Sequence, residues 1–331
     1  MKAIVYSTQL FEKEYLAKAN GKKHDITLIS NPLSLDTASF AEGKDAVVVF
    51  TNDDVSASVI EKLKRYSVRY IATRSVGTDH IDKVAAEAAK IKVANIPAYS
   101  PESIAEHAVG LILALNRNLL HAAAHAKNFD FRLDGLLGFT LKGKVVGLVG
   151  LGNIALALAT ILKGFGCKLI AYDPFQKHFP EDINKVSLTE LYREADIISL
   201  HAPLTEKTKH MINTKSLSLM KSTAMLINTA RGALIDTNAL LHALENHTLG
   251  YYGADVFEYE KGLFFEDHHK DKVKDALLTR LLAQPNVLIT PHQGFLTQEA
   301  LQEIASETIH NLDQWQAADQ LINGTKIKAN I

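Results

Sequence analysis

The sequence predicts an α/β protein built as two parallel-sheet domains. Three observations carry that reading. Short β-rich runs alternate with helical stretches over the first hundred residues. The alternation breaks at Pro101, where a long apolar helix opens. It restarts at Lys144 for six further strands. Parallel neighbours need a crossover between them, and the crossover is usually a helix, so this rhythm argues for parallel sheets. With 331 residues, 47% hydrophobic and 22% charged, the chain has the length for about two domains and the apolar residues to fill their cores.

In the first domain, strands are expected at Lys2–Tyr6, Ile26–Ile29, Ala46–Phe50, Arg69–Thr73 and Lys92–Asn95, with helices such as Asp54–Tyr66 and Asp79–Lys90 between them. The apolar helix from Pro101 is followed by a polar stretch up to Gly143. Strands are then expected at Lys144–Val149, Lys168–Tyr172, Asp196–Leu200, Ala224–Asn228, Tyr252–Val256 and Val287–Thr290. Six is the number a full doubly wound, dinucleotide-binding sheet uses. The helical segment Gln298–Ala318 is expected to pack back on the first domain, with Trp315 as an anchor. The domains are then 1–100 plus 297–331, and 101–296, with a cleft between them.

Composition excludes several classes. The formal net charge is −1, from 36 basic and 37 acidic residues, which leaves no electrostatic footprint for nucleic acid or an anionic membrane. A single cysteine, Cys167, rules out an internal disulfide and suits a reducing compartment. The N-terminus lacks a secretory apolar region, and no apolar run is long enough to span a bilayer. A cytoplasmic protein without a membrane partner is expected. His121 and His125 have helical i, i+4 spacing but lack a third ligand, so no metal site is expected.

The segment Val145-Val-Gly-Leu-Val-Gly150-Leu-Gly152-Asn-Ile-Ala155 reads as a strand, a tight glycine turn and a helix start. Gly150 makes the turn, and Gly152 lets backbone approach a pyrophosphate. Ala155 is small enough for helix–sheet packing. The N–H groups near Asn153 and Ile154, at the helix N-terminus, are placed to hold phosphates. Asp173 ends the next apolar strand, 23 residues after Gly150, close to the spacing at which an acid meets the ribose hydroxyls. A carboxylate there repels a 2′-phosphate, so NAD is favoured over NADP.

Three charged residues then fall at or just past the exits of apolar runs: Arg231, Glu260 and His292. Ligands bind at the carboxyl ends of strands in open α/β sheets. Arg231 offers a planar fork that matches a carboxylate and keeps its charge. His292 is the side-chain type that exchanges a proton near neutral pH. Glu260, if it comes within hydrogen-bond reach of His292, would favour the protonated imidazole and fix the ring. Arg74, ending a strand just before Ser75-Val-Gly77, is a candidate second cation for the substrate.

Thr229-Ala-Arg-Gly, Asp255-Val-Phe-Glu-Tyr-Glu and Thr290-Pro-His-Gln resemble the signatures of the D-isomer-specific 2-hydroxyacid dehydrogenases, and the resemblance runs nearly end to end. Gly262-Leu-Phe-Phe-Glu-Asp and His292-Gln-Gly-Phe-Leu-Thr are most similar to the lactate-forming branch. The resemblance implies a flavodoxin-like substrate domain beside a Rossmann-like NAD domain, and reduction of pyruvate to D-lactate by NADH. It implies that Arg231 binds substrate, that His292 is the acid/base and that Glu260 is its partner. It further implies substrate contacts from Val76, Gly77, Tyr99 and Phe295. Along NAD it implies Asn153 and Ile154 at the pyrophosphate and Asp173 at the ribose. Ala202, Pro203 and Thr208 would follow the adenosine side, with Thr229, Ala230 and Asp255 at the nicotinamide end. Ala155, Ala230 and Gly294 depart from residues usual in the family, each small for small. A homodimer built on the cofactor domains, or a tetramer, is also implied. Two alternatives stand beside this activity: a broader 2-hydroxyisocaproate-type dehydrogenase, and an NAD-sensing binding protein like the family's transcriptional corepressors.

Overall fold

The computed structural model describes residues 1–271 and 274–328; the end of the expected C-terminal return, 329–331, lies outside them. It divides into two compact units, Met1–Ser100 with Leu296–Ile331, and Pro101–Phe295.

The first unit runs β1 (Lys2–Val5), α1 (Leu10–Asn20), β2 (Asp25–Leu28), β3 (Ala46–Val49), α2 (Ala57–Arg65), β4 (Tyr70–Thr73), α3 (Lys83–Ala89) and β5 (Lys92–Ala94). All strand pairs are parallel, in the order β2-β1-β3-β4-β5, which is the flavodoxin-like order. Every residue of β3 and β4 is buried, because the strands are covered on both faces, and all but Thr73 at the end of β4 are apolar or aromatic. Each fully buried Val or Ile contributes roughly 1.5–3 kcal/mol relative to exposure.

The second unit runs α4 (Pro101–Asn116), α5 (Leu119–Lys127), β6 (Val145–Val149), α6 (Asn153–Gly164), β7 (Lys168–Tyr172), β8 (Ile183–Lys185), α7 (Leu188–Glu194), β9 (Ile197–Leu200), α8 (Thr214–Leu217), β10 (Met225–Asn228), α9 (Thr237–Glu245), β11 (Tyr251–Ala254), α10 (Ala276–Leu282) and β12 (Val287–Ile289). Its sheet is parallel throughout, in the order β12-β11-β10-β9-β6-β7-β8. The order reverses between β6 and β9, and such a reversal opens a crevice at the strands' carboxyl ends.

The sheet has seven strands where six are expected from sequence. The additional one, β8, has three residues, of which Ile183 is buried and Asn184 and Lys185 are exposed. An edge strand with one apolar residue carries neither an alternating nor a continuous apolar signal. The stretch before Gly143 also departs from expectation. It contains α5, none of whose residues is buried, and Phe129, Phe131, Leu133 and Leu137 stand exposed after it.

The chain returns to the first unit as α11 (Gln298–Lys328). Ala305, Ile309 and Leu312 pack with Ala3, Val5 and Leu16, and Trp315 stacks on Tyr70 with centroids 4.7 Å apart.

Candidate active site

The glycine turn sits where the sheet order reverses. Gly150 has φ +91°, a left-handed conformation that favours glycine. A Cβ there would lie 2.8 Å from the His201 carbonyl oxygen and 3.1 Å from the Ala202 nitrogen, so the turn after β6 and the exit of β9 touch through backbone. Gly152 is the N-cap of α6 and supplies no side-chain cap. The first N–H groups of α6, those of Asn153 and Ile154 among them, are left for an anion. Ala155 is fully buried beneath the turn.

Asp173 anchors the same turn. Its Oδ2 accepts from Leu151 N at 2.8 Å, and its Oδ1 accepts from Phe175 N at 2.8 Å and Gln176 N at 3.1 Å. Partial burial opposes ionisation, but these three N–H groups and Lys185 hold the carboxyl below its usual range. Two buried polar atoms on neighbouring strand exits, His201 Nε2 and Thr229 Oγ1, have no hydrogen-bond partner among the described residues. Burial pushes His201 down to about 4, so its ring is neutral at pH 7. An ionised acid, an open helix start and orphaned polar atoms along one crevice fit a dinucleotide. Thr208, expected along the adenosine side, closes its own loop: Oγ1 donates to Pro203 O at 2.6 Å and accepts from Thr205 N at 2.8 Å.

Arg231 leaves β10 through a turn held by Asn228, a fully buried polar residue at the strand's end. Asn228 Oδ1 accepts from Ala230 N at 3.1 Å, and Nδ2 donates to Arg231 O at 2.9 Å. Arg231 Nη1 donates to Ala230 O at 2.8 Å. The next residue, Gly232, abuts the loop that carries Glu260: a Cβ there would lie 2.1 Å from Phe257 C and 2.4 Å from Glu258 N.

His292 and Glu260 meet. His292 Nδ1 lies 3.0 Å from Glu260 Oε1, and both side chains are largely buried. A carboxylate accepts, so Nδ1 carries the hydrogen of this pair and Nε2 lies outside it. Glu260 Oε2 accepts from Phe257 N at 3.1 Å, which fixes the carboxylate. His292 has φ +55°, and its N–H donates to Thr290 O at 2.9 Å. A non-glycine residue in that region costs about 1–3 kcal/mol and persists only where its surroundings hold it. The ring of Phe265 faces His292, with centroids 5.9 Å apart and planes 34° apart.

Asp255, expected at the nicotinamide end, is 2% exposed. Its Oδ1 accepts from Thr290 Oγ1 at 2.6 Å and Gln293 N at 2.8 Å, and its Oδ2 from Gly294 N at 2.7 Å. It therefore ties the exit of β11 to the loop that carries His292. Phe295 closes that loop and is buried.

In the first unit, Val76 is exposed and the backbone beside it is pinned. Ser75 Oγ donates to Gly77 O at 2.7 Å, and Asn95 Nδ2 donates to Val76 O at 2.8 Å. Tyr99 is half-buried. Arg74 departs from expectation. Its side chain is fully buried, with Nε 3.0 Å from Glu12 Oε2, and its Nη atoms donate to Glu12 Oε1 and to the carbonyls of Tyr6 and Ser7. A guanidinium engaged in this way holds the first unit together and does not face a substrate.

Residues 109–294 match the family model described as D-isomer specific 2-hydroxyacid dehydrogenase, NAD binding domain. The D-lactate dehydrogenase of Escherichia coli is 42% identical over 326 residues, covering 98% of this chain and 99% of that one. An aromatic 2-oxoacid reductase of Clostridium sporogenes is 40% identical, over 88% of this chain and 89% of that one. The structure of the pyruvate reductase of Chlamydomonas reinhardtii superposes with a TM-score of 0.87 at 44% identity, covering 95% of this chain and 96% of that one. Fold, glycine turn and full-length similarity agree: the chain belongs to the D-isomer-specific 2-hydroxyacid dehydrogenases, oxidoreductases that use NAD.

Proposed function

We propose that this enzyme reduces pyruvate to D-lactate. The observation that carries the reading is the 3.0 Å pairing of His292 Nδ1 with Glu260, on a sheet that also presents Arg231 after β10 and the glycine turn after β6. Bound NADH supplies the hydride. Arg231 holds the 2-oxo acid through its carboxylate, a bidentate match that also orients the carbonyl. His292 donates the Nε2 proton to the carbonyl oxygen as negative charge develops there. Glu260 holds Nδ1–H, so the protonated ring presents its other N–H at Nε2 for transfer, and the carboxylate offsets the ring's positive charge before transfer. To the substrate we assign contacts from Val76, Gly77, Tyr99 and Phe295. Asn153, Ile154, Asp173, Ala202, Pro203, Thr208, Thr229 and Ala230 hold the cofactor.

A second reading, a broader 2-hydroxyacid dehydrogenase, is favoured by the 40% identity to an aromatic 2-oxoacid reductase, because that degree of similarity leaves the acyl pocket free to differ. NADH oxidation with pyruvate, branched and aromatic 2-oxo acids decides between the two. A kcat/KM highest for pyruvate supports the first, and a preference for a larger acid refutes it. An intact His292–Glu260 pair argues against a purely NAD-sensing protein, and turnover in the same assay would dispose of it.

We also infer a cytoplasmic homodimer or homotetramer. No helix among the described residues is long and apolar enough to cross a membrane. The exposed Phe129, Phe131, Leu133 and Leu137 form the kind of apolar surface that a second copy covers. A monomer by sedimentation at micromolar concentration would refute the assembly.

A further inference from the structure

We propose that His107, in α4, is a positioning residue for His292, acting through Asp255 and Thr290; the proposal rests on the acid/base role given above to His292. The geometry is a three-residue relay. His107 Nε2 lies 2.9 Å from Thr290 Oγ1 and 3.3 Å from Asp255 Oδ1. Thr290 Oγ1 in turn donates to the same Asp255 oxygen at 2.6 Å. Since the carboxylate only accepts and the hydroxyl hydrogen is committed to it, Nε2 carries a hydrogen shared between Thr290 and Asp255.

The same carboxylate holds the backbone on which His292 sits. Its oxygens accept from Gln293 N and Gly294 N, the two residues that follow His292. Thr290, two residues before it, is the relay's other arm and accepts the His292 N–H through its carbonyl. The left-handed turn at His292 is thus clamped from both sides by one buried carboxylate, and His107 supplies that carboxylate's contact with α4. Burial pushes the Asp255 carboxyl up, but donors from His107, Thr290 and Gly294 hold it ionised and below its usual range. Gly294 lets this packing close: a Cβ there would lie 3.0 Å from Asp255 Oδ2 and 3.5 Å from His107 Cδ2. Without the His107 donor, the buried carboxylate is left short of a partner. It can turn toward a new one only by releasing the loop.

The test uses the full-length enzyme with His107→Phe, which keeps the ring and loses the donor, and His107→Gln, whose amide N–H can replace it. His107→Phe is expected to lower kcat roughly 10- to 100-fold, the scale of a misplacement of about 1 Å at a reacting group. Pyruvate KM and NADH affinity should stay within about threefold, and His107→Gln should recover most of the rate. Hydrogen exchange at the Gln293 and Gly294 amides should quicken in His107→Phe and not in His107→Gln. Should the Phe variant not fold, Thr290→Val, which removes the hydroxyl in the relay, carries the same expectation. Unchanged kcat, or unchanged protection of both amides, overturns the proposal. A wild-type enzyme idle with every 2-oxo acid overturns the functional reading instead, and the exchange result then decides the positioning role by itself.

Discussion

Replacing Gly232 by alanine should disable turnover while leaving cofactor binding nearly intact. The added Cβ would lie 2.1 Å from Phe257 C, 2.2 Å from Phe257 O and 2.4 Å from Glu258 N. Carbon atoms pack at about 3.5 Å or more, so a gap of roughly 1.4 Å must open between the Arg231 turn and the 257–260 loop. All three opposing atoms are backbone, and no rotamer change relieves them. The loop cannot move without Glu260, because Glu260 Oε2 accepts from Phe257 N at 3.1 Å and Glu260 N donates to Phe257 O at 3.3 Å. The shift therefore separates Arg231 from the His292–Glu260 pair. A displacement near 1 Å costs on the order of 10²-fold in rate, or about 2.7 kcal/mol of barrier. The stability penalty for such overpacking is about 1–3 kcal/mol, a fall of several degrees in Tm for a unit of this size. The assay is kcat for pyruvate together with Tm and NADH affinity. A variant that keeps kcat within about twofold would show that these two loops need not be held at this distance.

Three further outcomes follow from the same geometry. His292→Gln should reduce turnover by at least about 10²-fold while NADH still binds, as read by its fluorescence; surviving turnover removes His292 as the acid/base. Asp173→Asn should weaken NADH binding and narrow the preference for NADH over NADPH, since the repelling charge is lost; an unchanged cofactor ratio refutes the ribose assignment. His201, held down to about 4 by burial, titrates near 6.5 when unfolded. Between those values the unfolded chain binds a proton that the folded chain does not, so stability falls as pH drops from about 6.5 to about 4. The loss reaches roughly 3 kcal/mol and levels off below. Urea midpoints across that range should be flatter for His201→Leu, and parallel curves would contradict the buried neutral ring.

The parts of this fold that the sequence reveals are those buried on both faces. β3, β4, β9 and β10 are buried at every residue and predominantly apolar because helices cover both sides of their sheets. β8 escapes because an edge strand needs one apolar residue and two solvated ones. At the site, the glycine turn is legible since a left-handed turn, a phosphate and a helix start each demand a residue type at a fixed spacing. Arg74 is misleading for the opposite reason. A cation at a strand exit reads alike whether it faces a ligand or a core, and its partner Glu12 lies 62 residues away in sequence. Asn228 carried a signal that could have been used: a polar residue closing a fully buried strand must have its hydrogen bonds met locally. His107 carried none, because its partners are 148 and 183 residues distant and only the tertiary fold brings them near.

Asp255 and Glu260 leave the same strand exit five residues apart, and each meets a histidine, yet they do different work. Asp255 is 2% exposed and accepts hydrogen bonds from a hydroxyl and two amides as well as from His107. A carboxylate so saturated has little capacity left to follow a proton, and removing any donor leaves a buried charge short of a partner. Glu260 is less enclosed. It accepts from one amide at Oε2 and from His292 at Oε1, so one of its oxygens is given over to the imidazole. Position in sequence does not separate a clamp from a proton-coupled partner here. The number of fixed donors on each carboxylate distinguishes the two proposed roles, and exchanging the two acids for their amides tests it: Asp255→Asn, whose NH2 replaces one acceptor and so opposes the backbone N–H of Gln293 or Gly294, should cost stability first, and Glu260→Gln, which keeps an acceptor for Nδ1–H, should cost rate first.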